Sequence, residues 1–420
     1  MSRWSVFPER DRPSGPRIRR PHRLNPWHEM QAPMLTDCVV FFLSLLSLAG
    51  CAYYLTCIVA ARRFFSRPRS AAPVSAVRPA SILIPLCGAD FQAYDNYASF
   101  CRLDYPEFQL VFGVQDPMDS SIPVVERLKE NFPHCDIHLV IDSKAIGTNP
   151  KVSNLNNMLA AARHELIVIV DSDIRVEADY LSTLVPELAD ERIGLVTCLY
   201  RAGATPNWTS LLEAVGITGE FAPGVLVADF TEGIRFAFGA TMATTKTRLS
   251  SIGGFAAIAD YLGDDYMLGN LLWREGYEIR LGRPVVETMP PPLSFRSMLN
   301  HQIRWSRNIR ACRPMGHFGT AITYGTVPAL LNFIFFASPF TFLLLGAVAA
   351  LRLFTGWYVG VRGLRDRILE KNLWLLLPRD LLGFGVWCAS LTGWSVEWRG
   401  RRYRLQKDGR MLPPGERPEP

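Results

Sequence analysis

The sequence lacks the short motifs that mark several large classes of enzyme. No GxGxxG follows the first apolar strand and no GxxxxGK(S/T) occurs anywhere, so a dinucleotide oxidoreductase and a P-loop NTPase are both unsupported. None of the nine cysteines forms a CxxC pair, and this odd, scattered set favours a reducing compartment over a disulfide framework. Because no zinc-type or RNA-type motif occurs either, nucleic acid is not an expected partner.

Positive charge is present, but it is concentrated in three blocks. The net charge of the 420 residues is +6, and Arg and Lys cluster in residues 3–23, 62–78 and 399–410. Each block lies beside or near an apolar segment, and 49% of all residues are hydrophobic. This arrangement predicts contact with the anionic surface of a lipid bilayer.

An uncharged apolar run covers residues 38–61. About 20 residues of helix are enough to cross a bilayer core of about 30 Å. A secretory signal is the alternative, but the apolar core is too long for one and no clean cleavage site follows it. We therefore predict an uncleaved transmembrane helix over residues 36–61.

Residues 1–33 are basic and rich in proline, and we expect them to form a disordered tail. Because both flanks of the first helix are basic, the positive-inside rule gives no orientation. Translation from Met34 would remove this conflict and place residues 62–78 on the cytoplasmic side of a bacterial inner membrane. Mass spectrometry of the native N-terminus tests the hypothesis, and a peptide from before Met34 would contradict it.

A second apolar region covers residues 318–398, which we predict to hold C-terminal membrane helices and interfacial segments. Its uncharged stretch at 318–351 contains Pro328 and Pro339, so it forms either one tilted helix or a broken one. The number of C-terminal spans stays open. Residues 399–420 are predicted to form a basic cytosolic tail.

Between these regions, residues 79–310 alternate short apolar strands with helices. Strands are predicted at 81–87, 108–114 and 165–170, and a helix with one apolar face is predicted at 151–163. Buried apolar strands that alternate with helices are typical of an α/β fold with a parallel sheet covered on both faces. Ligands bind such sheets at the carboxyl ends of the strands.

The sharpest feature of this region is Asp171-Ser172-Asp173, directly after the apolar strand at 165–170. Two carboxylates so placed can both turn toward a divalent cation, and oxygen ligands suit Mg²⁺ or Mn²⁺. Such a cation would neutralise a diphosphate and help it to leave. The pattern therefore predicts a metal site at the edge of the sheet.

The other candidate residues each have a structural alternative. Asp116 follows the second predicted strand and either contacts a nucleoside or is a turn residue before proline. Asp264 and Asp265 either supply a general base or are the acidic residues of a helix N-terminus. Arg304 and Trp305 either grip a diphosphate and cover the pocket or form a basic and aromatic belt beside the membrane.

In their order along the chain, these motifs resemble family 2 and family 21 glycosyltransferases, whose series is D, DxD, (E/D)D and (Q/R)xxRW. The resemblance is greatest to the ceramide glucosyltransferase-like group, and within it to glycosyltransferases of hopanoid biosynthesis. It extends from about residue 52 to the C-terminus. The segments that carry it are 149–154, 171–176, 194–201, 238–242 and 263–267.

The resemblance implies a GT-A fold that faces the cytosol, a UDP-sugar donor, a divalent cation and inversion at the anomeric carbon. By position, Asp171 and Asp173 would hold the metal and the diphosphate. Asp265 would be the general base, and Asp264 is the alternative. The acidic pair is Asp-Asp here where the family often has Glu-Asp, a small change of reach.

The resemblance also implies a set of substrate contacts. Asp116 would contact the uridine part, and Lys151 would help to bind the nucleotide. Arg304 and Trp305 would close over the donor and the acceptor. The glutamine or arginine of the family motif is His301 in this sequence, which leaves that contact open.

The expected function is transfer of glucose or N-acetylglucosamine from a UDP-sugar to the hydroxyl of a membrane lipid of hopanoid or ceramide type. Residues 211–230 are largely apolar and either line a groove for the lipid tail or pack as ordinary core. A processive polysaccharide synthase is one alternative function, and a membrane scaffold that only binds a nucleotide is another. A product assay tests the first alternative, and UDP release tests the second.

Overall fold

The computed structural model describes residues 26–67 and 78–413, with the backbone alone for residues 26–34. The chain divides into two units, residues 1–42 and 43–420. In the first unit the described residues are helical, because the first helix, α1, covers Pro26–Phe65. Most of the tail predicted at 1–33 lies outside the described residues, so the structure does not test the hypothesis that translation begins at Met34.

Eight strands of the second unit form one sheet. They are β1 (Ala80–Pro85), β2 (Phe108–Val114), β3 (Ile137–Ile141), β4 (Leu166–Ile169), β5 (Ile174–Arg175), β6 (Ile193–Ala202), β7 (Met242–Thr245) and β8 (Glu278–Thr288). Their order across the sheet is β3-β2-β1-β4-β7-β6-β8-β5. All run in the same direction except β5 and β7.

The α/β fold predicted from the sequence is confirmed, but the prediction of a wholly parallel sheet is wrong. β7 lies between β4 and β6 and is antiparallel to both. Its four residues, Met-Ala-Thr-Thr, are too few and too polar to resemble a buried strand. Because β7 reverses the direction between its neighbours, β4 and β6 still end at the same edge.

Fourteen further helices surround the sheet or extend from it in the described part of the chain. They are α2 (Ala93–Phe100), α3 (Ile122–Asn131), α4 (Pro150–Leu159), α5 (Tyr180–Leu184), α6 (Trp208–Gly216), α7 (Ala222–Thr231), α8 (Lys246–Ser251), α9 (Asp264–Arg274), α10 (Phe295–Cys312), α11 (Pro314–Gly319), α12 (Thr326–Phe335), α13 (Pro339–Gly356), α14 (Arg367–Lys371) and α15 (Leu376–Ser390). The helix predicted at 151–163 is α4, which ends earlier, at Leu159.

Both faces of the sheet are buried, because successive side chains along each strand point to opposite sides. On one side Ile82 of β1 packs with Tyr97 of α2 and with α3 and α5. On the other side Leu83 packs with Met158 of α4 and with Leu268 of α9. The apolar runs of the strands follow from this double burial, and polar residues are left for the strand ends.

Three helical segments among the described residues are long and apolar enough to cross a membrane. They cover Leu35–Phe65, Trp208–Thr231 and Pro339–Gly363. A fourth candidate is the pair Pro314–Tyr324 and Thr326–Phe335, which is bent by 49°. The segment Trp208–Thr231, which joins α6 and α7 through a π-helical turn, was expected only as a groove or as core.

A basic tail was predicted at 399–420, but the described part of this segment, up to residue 413, contains strands. Strands β9 (Ser395–Trp398), β10 (Arg401–Leu405) and β11 (Met411–Leu412) form a small antiparallel sheet. Its alternate residues Val396, Tyr403 and Met411 are buried against Leu262, just before α9. The basic residues between them hid this alternation, and the sheet joins the edge at which the candidate site lies.

Candidate active site

The carboxylates that follow β4 meet the acidic start of α9 at the carboxyl edge of the sheet. Lys151 of α4 joins them, because its Nζ lies 2.7 Å from Asp171 Oδ1 and 3.1 Å from Asp264 Oδ2. The side chain of Lys151 is only 15% exposed, whereas that of Asp171 is 39% exposed. The structure thus brings three predicted residues together, with the ammonium group of Lys151 paired to carboxylates.

Asn149 fixes the position of Lys151. As the N-cap of α4, its side-chain oxygen accepts a hydrogen bond of 3.1 Å from the Val152 amide. Its side-chain nitrogen donates to the carbonyl of Tyr261 at 2.7 Å, three residues before α9 begins. One asparagine therefore ties the start of α4 to the start of α9, and this contact explains why Lys151 and Asp264 meet.

Gly239 connects the carboxylates after β4 with those of α9. Its carbonyl accepts a hydrogen bond of 3.0 Å from the Asp171 amide, and its own amide donates to Asp265 Oδ2 at 3.1 Å. A Cβ atom at this position would overlap the Asp171 carboxylate. Only glycine fits so close an approach. Gly239 lies in the segment 238–242 that carries the family resemblance, and its role at the site was not predicted.

Asp173 lies deeper than Asp171. The Thr288 hydroxyl donates to Asp173 Oδ2 at 2.7 Å, and the Met289 amide donates to the Asp173 carbonyl at 2.9 Å. Burial, and then the charge of Asp171, raise the pKa of Asp173 to about 7. Asp173 is therefore a carboxylate whose ionised form lacks a positive partner.

A divalent cation fits this carboxylate pair when it is shared with a substrate. No group of three or more His, Cys, Asp or Glu in the described ranges could hold a metal alone. Mg²⁺, however, is commonly bound by one or two carboxylates together with substrate phosphates. Asp171 and Asp173 supply that number, and the raised pKa of Asp173 marks the place where positive charge would be stabilising.

Asp265 lies in the first turn of α9. Its Oδ1 accepts a hydrogen bond of 2.7 Å from the Tyr266 amide. Burial, and then Asp264, raise its pKa to about 6, although Lys151 acts in the opposite direction. Asp264 and Asp265 are the acidic residues in the first turn of α9, as the structural alternative predicted, and they also contact Lys151 and Gly239 of the candidate site. A pKa near neutrality suits a general base.

Helix α10 carries three further predicted residues, His301, Arg304 and Trp305. Burial, and then Arg399, lower the pKa of Arg304 to about 10, while Glu213, Asp265 and Asp171 act against that change. Arg304 therefore lies within electrostatic reach of the carboxylates of the site. This reach favours the prediction that it meets a diphosphate.

His301 and Trp305 lie on the same side of α10. Their ring centroids are 4.1 Å apart, and 38% of Trp305 is exposed. His301 Nδ1 lies 3.4 Å from Oε1 of Glu213, a residue that the sequence analysis did not select. A carboxylate inside an apolar stretch is the signal that would have identified Glu213.

Asp116 stands apart from these residues. It is exposed, and its Oδ1 accepts from the Met118 amide at 2.9 Å, so the turn predicted as its structural alternative is present. Asp119 is held by several hydrogen bonds. Burial alone would raise its pKa, but hydrogen bonds from Ser121 and Gly88 outweigh that effect and lower it.

Two more residues at this edge were not predicted. Asp90, in the loop after β1, accepts a hydrogen bond from the hydroxyl of Ser172, the residue between Asp171 and Asp173. Arg399, between β9 and β10, donates to the Cys87 carbonyl at 2.7 Å. The position of Asp90, an acidic residue after the first strand, could have predicted its place at this edge. No local feature of the sequence places Arg399 there.

The chain is similar to known glycosyltransferases over most of its length. The glycosyl transferase family 21 model matches residues 42–411. Ceramide glucosyltransferase 1 of Caenorhabditis elegans is 25% identical over 385 residues, covering 88% of this chain and 81% of that protein. Ceramide glucosyltransferase 3 of the same organism is 24% identical over 350 residues, covering 80% and 74%.

Among solved structures, one similar chain is a mannosyltransferase from Pyrobaculum calidifontis in complex with GDP-Man and Mn²⁺. It is 20% identical, with a TM-score of 0.46, and the match covers 83% of this chain and 97% of that chain.

Proposed function

Because this chain belongs to glycosyl transferase family 21, we propose that it moves a hexose from a UDP-sugar to the hydroxyl of a membrane lipid. The family predicted from the sequence is confirmed, and with it the GT-A class of α/β fold and the activity of a UDP-sugar-dependent hexosyltransferase. The lipid acceptor and the role of each residue are proposed from the site.

One observation supports a lipid as the acceptor. The carboxylates lie at the same edge of the sheet at which the chain continues into an apolar helical segment. β6 runs in the same direction as β4, so its end at Ala202 lies at the edge where Asp171 and Asp173 follow β4. Soon afterwards comes Trp208–Thr231, which is apolar enough to cross a membrane. A lipid held beside this segment would present its head group to the carboxylates.

We propose an acceptor of ceramide or hopanoid type and a sugar that is glucose or N-acetylglucosamine. The two Caenorhabditis elegans relatives are named ceramide glucosyltransferases, which favours ceramide and glucose. The hopanoid alternative is supported by the resemblance of the motif segments, such as residues 149–154 and 171–176.

The proposed reaction is a single inverting displacement with Asp265 as the general base. The lipid hydroxyl oxygen attacks the anomeric carbon and forms the new glycosidic bond. The bond from that carbon to the β-phosphate oxygen breaks, and UDP leaves with the bonding electrons. The hydroxyl proton passes to the Asp265 carboxylate, which is partly ionised near neutral pH. General base assistance contributes about 10²- to 10⁴-fold to such a step.

The other residues of the site position the donor and balance charge. Lys151 offsets the negative charge of Asp171 and Asp264, which allows the carboxylates to lie close together. Arg304 would bind the diphosphate with its guanidinium group. When bound by Asp171 and Asp173, a divalent cation, Mg²⁺ or Mn²⁺, supplies positive charge that stabilises the leaving diphosphate.

We propose that the protein is an integral membrane protein whose catalytic domain faces the cytoplasm, in a bacterial inner membrane. The three apolar helical segments support membrane association. The proposed orientation rests on translation from Met34, which would leave residues 62–78 as the basic flank of the first helix, because basic flanks face the cytoplasm. The supply of UDP-sugars in the cytoplasm requires the same orientation.

The rate of transfer should fall at acidic pH. The base acts only when ionised, and burial raises the pKa of Asp265 to about 6, so kcat should decrease below about pH 6 and approach a tenfold loss per pH unit. The measurement is kcat at saturating donor and acceptor between about pH 5 and pH 8. A rate that stays flat down to about pH 5 would exclude Asp265 in this role.

Replacing Asp173 by alanine should weaken the binding of UDP in the presence of Mn²⁺ by at least about tenfold. The side chain is one of two carboxylates available to the cation, and the calorimetric titration of UDP with and without Mn²⁺ measures its contribution directly. Asp95→Ala, an exposed carboxylate in α2, is the matched control and should leave the titration unchanged. Equal Mn²⁺ dependence in both variants would place the cation elsewhere.

The lipid product is tested in cells. Mass spectrometry of lipids from a strain that lacks this protein should show the loss of one glycolipid class. The corresponding lipid that lacks one hexose should accumulate. Expression of the intact chain should restore the class, and expression of Asp265→Asn should not. Loss of a polymer instead of a glycolipid would identify a processive polysaccharide synthase and overturn the proposal.

A further inference from the structure

Glu213 is a buried carboxylate on α6, within the apolar segment Trp208–Thr231. Only 7% of its side chain is exposed. A charged group in such a segment is costly unless a partner or a ligand compensates it. Its environment therefore needs an explanation beyond packing.

Glu213 differs from the second glutamate of the same segment. Glu220 accepts a hydrogen bond of 2.6 Å from the Tyr324 hydroxyl and forms an ion pair of 3.2 Å with Arg379. Glu213 instead lies 3.4 Å from His301 Nδ1, a nitrogen that is buried without a hydrogen-bond partner in the described structure. No lysine or arginine in the described ranges forms an ion pair with Glu213. Glu220 therefore has a cation in direct contact, whereas the direct side-chain contact of Glu213 in the described ranges is with the His301 ring.

Glu213 lies within electrostatic reach of the carboxylates of the candidate site. Burial raises the pKa of Tyr200, and the charges of Asp265, Asp173, Asp171 and Glu213 raise it further. Arg304 likewise experiences Glu213 together with Asp265 and Asp171. The contact between Glu213 and His301 of α10, the helix that also carries Arg304, places Glu213 on the side of the site formed by the apolar segment.

We propose that Glu213 and His301 form an acceptor subsite that binds a second hydrogen-bond donor of the lipid head group, beside the hydroxyl that receives the sugar. The inference rests on the proposed transfer to a lipid and specifies the class of acceptor. An ionised carboxylate only accepts hydrogen bonds, so it selects a neighbouring hydroxyl or N–H group. The partly exposed ring of Trp305, tilted by 49° against the His301 ring, provides an apolar surface next to it.

The subsite explains how the enzyme distinguishes its acceptor from other membrane lipids with a hydroxyl. A site built to bind a polar group rejects an analogue without that group, because its own buried polar atoms are left unpaired. Simple long-chain alcohols should enter the apolar region but leave Glu213 without a donor. The required acceptor therefore carries at least two donors close together.

The test uses the full chain in detergent with UDP-glucose and Mn²⁺, and a pair of acceptors. The first is whichever of short-chain ceramide and a hopanoid polyol the wild type glycosylates, and the second is the same lipid with the neighbouring donors methylated. The wild type should prefer the first by at least about tenfold in kcat/KM. Equal use of both acceptors by the wild type would overturn the subsite without any substitution.

Glu213→Gln should raise KM for the first acceptor by about tenfold or more and abolish the preference, with little change in KM for UDP-glucose. Glu220→Gln, two turns away on the same segment, is the matched control and should keep the preference. A loss of kcat by the same factor for both acceptors would make Glu213 part of the chemical step instead. Absence of transfer by the wild type to any lipid, from UDP-glucose and from UDP-N-acetylglucosamine alike, would contradict the proposed function itself, so the two failures are distinct.

Discussion

Asp265→Asn should lower kcat for sugar transfer by about 10²- to 10⁴-fold while UDP-sugar binding is retained. The amide has nearly the same shape as the carboxylate and can still accept a hydrogen bond from the Gly239 amide, which lies 3.1 Å from Oδ2. It cannot take the proton of the lipid hydroxyl. Steady-state transfer of labelled sugar gives kcat, and calorimetry with UDP and Mn²⁺ gives binding.

Asp264→Asn is the matched control for this substitution. Asp264 is adjacent in sequence and buried, but its carboxylate is engaged by Lys151 at 3.1 Å. We expect a smaller loss of kcat than in Asp265→Asn, because the base itself is intact. Near-normal turnover in Asp265→Asn, together with loss of turnover in Asp264→Asn, would move the base to Asp264.

Asp380→Asn should destabilise the fold by about 3–5 kcal/mol, since it removes one partner of a buried ion pair. Arg352 of α13 donates through Nε and Nη2 to Asp380 of α15 at 2.7 to 3.1 Å, and the two side chains are 3% and 1% exposed. Thr326 of α12 also donates to Asp380 at 2.8 Å. The stability is lost because Arg352 is left buried without a negative partner. Thermal unfolding in detergent measures this loss of stability.

Two controls separate burial from charge. The double substitution Arg352→Met with Asp380→Leu should recover much of the lost stability, because no charge is then left unpaired. Glu126→Gln breaks the exposed pair with Lys129, which has a distance of 2.9 Å, and should cost at most about 1 kcal/mol. An unchanged melting temperature in Asp380→Asn would show that Arg352 finds another partner.

The parts of the fold that the sequence predicted are those with a strong local pattern. β1, β2 and β4 are mainly apolar runs, and the acidic residues after β4 could be assigned to the sheet edge because parallel strands end together. β7 could not be predicted, since Met242–Thr245 has no apolar pattern and is held by pairing with both neighbours. The antiparallel direction of β7 depends on how the chain folds before and after it.

The site divides in the same way. Asp171, Asp173 and Asp265 lie in short motifs, and their approach to one another was predicted. Gly239 and Arg399 reach the site from distant parts of the chain, and no spacing rule connects them to β4. Such contacts depend on tertiary packing, which a single sequence does not display.

The nucleotide contact of Lys151 stays a prediction. The motif around it suggested a nucleotide contact, whereas the structure pairs its ammonium group with Asp171 and Asp264. Sequence reasoning identified the residue but not its partners, because α4 and α9 are tied together through Asn149 and the carbonyl of Tyr261. The contact between Glu213 and His301 was missed for the same reason.

The most direct test of the account is the transfer reaction with the purified full chain, UDP-glucose, Mn²⁺ and a membrane lipid extract. The account predicts UDP release that depends on the lipid, and mass spectrometry should find one hexose per lipid molecule in the product. Both signals should disappear in Asp265→Asn. UDP release that is independent of lipid, or chains of many sugars, would contradict the assignment of a lipid hexosyltransferase.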